Sequence, residues 1–295
     1  MTAAPGAKRG SLGKAIGWSV AFMLLGIAVS STLLILWAFA TRGNVARGLT
    51  ELLSPGPQQV LVGGLSQLLG FGFATWVVGF RVLHIRWAEL RWAPARRGAS
   101  GFGVGLAVCA GAAVLALLSA VVLAHSYWTN DQGGLGDYMA SVAKTFAVLA
   151  PAALSEEIMF RGVPLVLMAS VVGRGTALVL VAGLLFALFH GLNPGVTALG
   201  LGNIALAGIF LGVAFYAPGG VWTAFGAHLG WNTALAALDA PVSGLPFNIP
   251  WLDYRAGDPS WLSGGRFGPE GGLTSTLAIT VALLVTLRWA RREPA

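Results

Sequence analysis

Residues 15–40 read AIGWSVAFMLLGIAVSSTLLILWAFA, an apolar run with no charged side chain. A helix rising about 1.5 Å per residue needs roughly 20 residues to cross about 30 Å of hydrocarbon, so this run is long enough to span a bilayer. It follows Lys8, Arg9 and Lys14, as the core of a signal peptide would. Signal cores, however, extend only about 7–15 residues, and the run is therefore expected to be a retained anchor.

The rest of the chain has the same character. Charged residues make up 10% of it, hydrophobic residues 56%, and the mean hydropathy is +0.76. Soluble domains carry roughly a quarter charged residues, so lipid is the main solvent here and the expected class is all-α, a polytopic membrane helix bundle. Apolar runs bounded by charges or by Gly and Pro predict eight spans: 15–40, 58–83, 101–125, 140–170, 175–191, 195–217, 219–238 and 273–290. Only Asn193-Pro194-Gly195 and Pro218-Gly219-Gly220 divide the fifth, sixth and seventh. Three regions follow: N-terminal helices with a basic loop over 1–139, a core over 140–240, and a loop with a last helix over 241–295.

Net charge is +7, which could suggest nucleic acid, but the basic residues flank the apolar runs and form no separate domain. A membrane explains them better, and no nucleic-acid partner is expected. With a cytoplasmic N-terminus, Lys8, Arg9, Lys14, Arg81, Arg86, Arg91, Arg96, Arg97, Arg174, Arg288, Arg291 and Arg292 fall inside. Only Arg42, Arg47, Arg255 and Arg266 fall outside, so both termini are expected in the cytoplasm. The outer segments carry Glu51, Asp131, Asp137, Asp239, Asp253, Asp258 and Glu270; Lys144 and Arg161 lie within the fourth span. Residues 84–97 interleave Arg with Trp87 and Trp92, as an interfacial segment does where Arg meets anionic lipid. The Gly-, Pro- and Trp-rich loop 239–272 could be an interfacial cap or a substrate-access element. The lone Cys109 allows neither a disulfide framework nor a cysteine metal site. The chain has no Walker loop or dinucleotide fingerprint, and Gly200 to Gly212 reads as small-residue helix packing.

Ionisable residues at membrane depth cost about 2.5–3.5 kcal/mol each on insertion scales, so each is a functional hypothesis. Three segments hold most of them. In Ser155-Glu156-Glu157-Ile158-Met159-Phe160-Arg161, Glu157 and Arg161 are four apart on one helical face and can pair. Glu156 points about 100° away and is left free. Phe186-Ala187-Leu188-Phe189-His190 ends an apolar run, and His228 shares a face with Asn232 at four-residue spacing. Taken singly, these histidines would pack or bridge helices. Taken together, a free glutamate, two histidines and an asparagine are what is needed to activate water and stabilise an oxyanion.

Glu-Glu-x-x-x-Arg at 156–161, Phe-x-x-x-His at 186–190 and His-x-x-x-Asn at 228–232 resemble the three motifs of the CAAX protease and bacteriocin-processing family of intramembrane proteases. Type II CAAX prenyl endopeptidases are eukaryotic relatives. The resemblance implies an endopeptidase acting on a membrane-associated peptide or protein within the lipid bilayer. In that scheme Glu156 and His190 activate the water, and His228 and Asn232 hold the oxyanion. Glu157 and Arg161 support the motif, and Phe186 packs beside His190. Glu156, His190 and His228 could instead supply three ligands to a catalytic Zn2+ with an open fourth position, so metalloprotease and metal-free glutamate protease both stay open. The Ala-, Gly- and Arg-rich composition and short loops look bacterial, which points to a plasma (inner) membrane protein. Two rival readings use the same residues: a non-catalytic membrane scaffold or immunity protein, and a proton-coupled transporter.

Overall fold

In the computed structural model, residues 10–52 and 56–292 are described; Lys8 and Arg9, counted above with the inner charges, lie outside them. Helix α1 (Leu12–Arg42) ends at Gly43, whose left-handed backbone (φ 62°) lets its amide cap the Phe39 carbonyl. A short α2 (Val45–Leu52) follows, then α3 (Pro57–Ala74), which opens on a proline and runs on through a π-helical turn at Thr75–Val82. Next come α4 (Ala95–Ala124), α5 (Leu135–Arg161) and α6 (Val163–Val172). The segment Arg174–Phe189 is one apolar helix made of α7 (Arg174–Ala177), a π-helical stretch and α8 (Phe186–Phe189). The remaining helices are α9 (Ala198–Tyr216), α10 (Val221–Ala237), a single turn α11 (Ser260–Ser263) and α12 (Leu273–Arg292).

The all-α polytopic bundle is thus observed, and each of the eight apolar runs is helical. Among the described residues, six helices are long and apolar enough to cross a membrane: 12–42, 57–82, 95–124, 135–172, 198–216 and 273–292. The other two runs form shorter helices, Arg174–Phe189 and Val221–Ala237, so the count of eight crossings is not met on that criterion. The fourth run is also not one straight helix. It breaks at Gly162 (φ −74°, ψ −123°), where a Cβ would collide with the Ile158 carbonyl, and α5 therefore ends on Arg161. Strands β1 (Tyr127–Asn130) and β2 (Leu252–Arg255) pair antiparallel, a ribbon the all-α expectation did not include.

Loop contacts respect the expected sidedness. β1 and β2 come from two segments assigned to the outer side, and Asn193, from a third, donates to the Ser243 carbonyl in the same loop as β2 at 3.0 Å. On the opposite end, Arg91 and Arg174 flank the Tyr216 ring at 5.7 and 4.9 Å, and Trp92 pairs with Gly220. Arg91 departs from the lipid-facing role expected for residues 84–97. Its guanidinium donates to the carbonyls of Phe215, Tyr216 and Ala217 at 2.8–3.1 Å, satisfying the open C-terminal end of α9.

Small residues set the spacing that matters for the site. Gly101 and Gly105 on α4 face Gly219 and Thr223 at the start of α10, while Gly226 and Gly230 of α10 sit against the Phe102 and Leu106 carbonyls. Four-residue glycine spacing on both partners lets the backbones touch, as at packed membrane helices. Likewise Gly208 and Gly212, within the glycine-rich run 200–212, admit Ala182 and Leu178 of the preceding helix. Loop 239–272 is hydrogen-bonded to itself: both carboxylate oxygens of Asp239 accept backbone amides, from Ile249 at 2.8 Å and Tyr254 at 3.3 Å.

Candidate active site

The last turns of α5, the end of α8 and the middle of α10 bring the three motif segments together. Glu156 Oε2 lies 3.9 Å from His190 Nε2 and 3.7 Å from His228 Nε2. That oxygen is buried and has no hydrogen-bond partner among the described residues. Glu156, His190, His228 and Asn232 all line one cavity of about 230 Å³. The cavity is amply large for water, which needs only about 10–15 Å³ of such volume. Asn193, Ser243, Leu245 and Phe247 also line it, so the cavity is walled by two of the segments assigned to the outer side.

The tautomers follow from the partners. His190 Nδ1 is 2.8 Å from the Phe186 carbonyl, an acceptor, so Nδ1 carries the proton and Nε2 faces Glu156 with a lone pair. His228 Nδ1 is 2.8 Å from Glu157 Oε1 and carries its proton for the same reason. A second proton on His228 would sit on Nε2, between two carboxylates. Asn232 makes no side-chain hydrogen bond among the described residues and keeps its amide for whatever enters the cavity.

Behind this group stands a fully buried ion pair. Arg161 Nη1 meets Glu157 Oε1 at 3.3 Å, the pairing expected from the four-residue spacing. Its Nη2 donates to the Gly208 carbonyl at 3.0 Å, and the guanidinium lies 4.5 Å from the centre of the Phe186 ring. Phe186 therefore does more than pack beside His190: it covers the cation as well. Glu157 accepts from both Arg161 and His228, which fixes the His228 ring relative to Glu156.

The fit of a zinc ion can be tested against these distances. Tetrahedral bonds of about 2.0–2.2 Å hold ligand atoms about 3.3–3.6 Å apart. The two Glu156-to-histidine separations, 3.9 and 3.7 Å, are wider. Among the described residues no three His, Cys, Asp or Glu side chains form a group that could hold a metal ion. As positioned, Glu156 Oε2 stands slightly farther from each imidazole than tetrahedral zinc bonds would hold it.

Several residues of the site were not singled out in the sequence. Asn193 and Ser243 face the cavity from loops. Glu270, counted above among the outer acidic residues, is only 5% exposed and accepts from Trp231 Nε1 at 3.1 Å, from Ser243 Oγ at 3.0 Å and from the Ser243 amide. Burial pushes its carboxyl above the ordinary carboxylate range, against the opposing pull of the Ser243 and Trp231 donors. Burial likewise raises Asp239, partly offset by the two amides it accepts. The one available signal for Glu270 was its position, three residues before an apolar run in a Gly-Pro-Glu-Gly-Gly turn.

Residues 139–234 match the model of the family described as Type II CAAX prenyl endopeptidase Rce1-like. The matched stretch contains all three motifs and supports the CAAX-protease resemblance read from them. No curated protein and no solved structure matched the chain. Over that stretch the chain is similar to the CAAX-protease-like endopeptidases, and its apolar helices indicate an integral membrane protein.

Proposed function

We propose that this Rce1-like integral membrane protein hydrolyses a peptide bond of a membrane-associated protein or peptide, with water activated by Glu156 and His190. The observation that carries the reading is the buried, unpartnered Oε2 of Glu156 facing two imidazole nitrogens across a cavity of about 230 Å³. A water between Glu156 and His190 would donate one hydrogen bond to the carboxylate and one to the His190 lone pair. Glu156 takes the proton as the water oxygen attacks the scissile carbonyl carbon, a general-base step. The carbonyl becomes an oxyanion, to which Asn232 donates through its amide and His228 through Nε2–H when its ring is doubly protonated. The proton on Glu156 then passes to the leaving amine, and the C–N bond breaks.

Glu157 and Arg161 act outside the cavity. Glu157 holds the His228 ring through Nδ1, and Arg161 balances the carboxylate charge where both side chains are fully buried. In this reading Glu156 is the general base and no step is routed through a metal, the glutamate-type form of the reaction. The same reading assigns a bacterial plasma membrane with both termini in the cytoplasm, supported by the bias of basic residues and by loop contacts that join segments of like assignment.

The test is a comparison of membrane peptide termini from cells carrying the wild-type protein and cells carrying Glu156→Gln. New termini that depend on the wild-type glutamate are expected, with loss of turnover by about 10²–10⁴-fold in the variant, the range of a general base. Unchanged cleavage by folded Glu156→Gln protein would overturn the assignment.

A further inference from the structure

Glu270 is a buried carboxylate that the hydrolysis above does not use. Its backbone is fixed: Asn203 Nδ2 donates to the Glu270 carbonyl at 2.8 Å and to that of Gly272 at 2.9 Å. Asn203 is itself held by Thr276 at 2.6 Å, so the carboxylate stands on a post braced by α9 and α12. From that post it receives both donors of Ser243, the amide and the hydroxyl, as well as the indole of Trp231. Ser243 lies at φ 49° and Gly244 at φ 85°. Left-handed backbone is natural for the glycine but strained for the serine, so something must hold the serine there.

The turn so held faces the chemistry. Ser243 borders the main cavity and also a smaller one of about 40 Å³ that reaches His190, His228, Asn232 and Glu270. Its carbonyl accepts from Asn193, and the Asn193 amide donates to the His190 carbonyl at 3.1 Å. A carboxylate with three donors is expensive to bury where an apolar side chain would pack as well, and its return is fixed orientation. We propose that Glu270 is a positioning residue: its carboxylate locks the turn 242–245 against the catalytic cavity, where that turn forms the wall on which an extended substrate peptide lies. This rests on the hydrolase reading for the substrate, but the lock itself is a statement about the free protein.

Two measurements on the full chain test it. In a Cys109→Ala background, Leu245→Cys places one thiol on the turn, and its labelling by a soluble maleimide reports how firmly the turn is held. Adding Glu270→Ala should speed labelling about tenfold, the effect of losing roughly one charge-assisted hydrogen bond. Glu270→Gln, which keeps an acceptor for Ser243, should change it by about threefold or less. On an internally quenched peptide that the wild type cleaves and Glu156→Ala does not, Glu270→Ala should raise KM about tenfold with kcat within about threefold, and Glu270→Gln should restore most of the loss. If Glu270→Ala does not fold, Ser243→Ala carries both comparisons with an expected effect of about threefold. Unchanged labelling, or unchanged KM in a protein that cleaves, overturns the lock. If the wild type cleaves no peptide, that counts against the hydrolase reading, and the labelling rates still decide the lock.

Discussion

Replacing Arg161 by methionine removes the buried guanidinium behind the site and leaves a side chain of similar length. Arg161 and Glu157 are both 0% exposed, and Glu157 then keeps His228 as its remaining partner. Breaking a buried pair from one side costs about 3–5 kcal/mol, because the surviving charge is uncompensated. The lost contact with the Phe186 ring and the bond to the Gly208 carbonyl fall within that figure, since they describe the same group. At roughly 2–4 °C per kcal/mol, the melting midpoint of the purified protein should fall by about 6–20 °C. The eleven tryptophans provide an intrinsic fluorescence signal for the melt. Adding Glu157→Gln removes the stranded charge while keeping an acceptor for His228 Nδ1, so the double variant should melt above the single one. The reasoning fails if the single variant melts within about 2 °C of wild type, or if the double variant melts no higher than the single.

Asn232→Ala should lower kcat by about 10²–10³ with KM nearly unchanged, as expected of an oxyanion donor. Equal losses in kcat/KM carried by KM alone would move Asn232 to substrate binding. Gly230→Leu drives a side chain into the Leu106 carbonyl across the α4–α10 contact and should destabilise the protein by about 1–3 kcal/mol. A melting midpoint equal to wild type would mean that these helices do not pack as closely as described. Because burial raises the Glu270 carboxyl, the folded state binds its proton more tightly than the unfolded chain does. That contribution is complete below the unfolded value, about 4.3, and is lost as pH rises through the higher folded value. Wild-type melting minus that of Glu270→Gln should therefore decline from pH 4 towards pH 8, and a constant difference would refute the shift.

The helical architecture was legible because each apolar run is longer than any turn signal within it. What composition could not supply was the length of an unbroken helix. The fourth run hides its break at Gly162, since a single glycine in an apolar stretch reads as packing. The fifth and seventh runs are apolar enough to be read as crossings yet form helices of only 174–189 and 221–237. Arg91 was misread for a related reason: an arginine in a Trp-rich segment has the composition of a lipid contact, and only the packing shows that it caps α9.

The pairing of Glu157 with Arg161, and the freedom of Glu156, followed from a local rule: positions four apart share a helical face and adjacent ones do not. Local rules cannot reach Glu270, whose partners Ser243 and Trp231 are 27 and 39 positions away. A carboxylate in a loop beside a membrane span is most simply read as solvated, so its burial was invisible until the loop was seen folded onto α10. The same distinction explains why the candidate site residues stood out in the sequence and the residues that hold the loops around them did not. Groups that act on a substrate must sit at membrane depth, where any charge stands out against an apolar background. Groups that hold the surrounding loops sit among Gly, Pro, Ser and Asp, where a charge is ordinary and only its partners reveal its role.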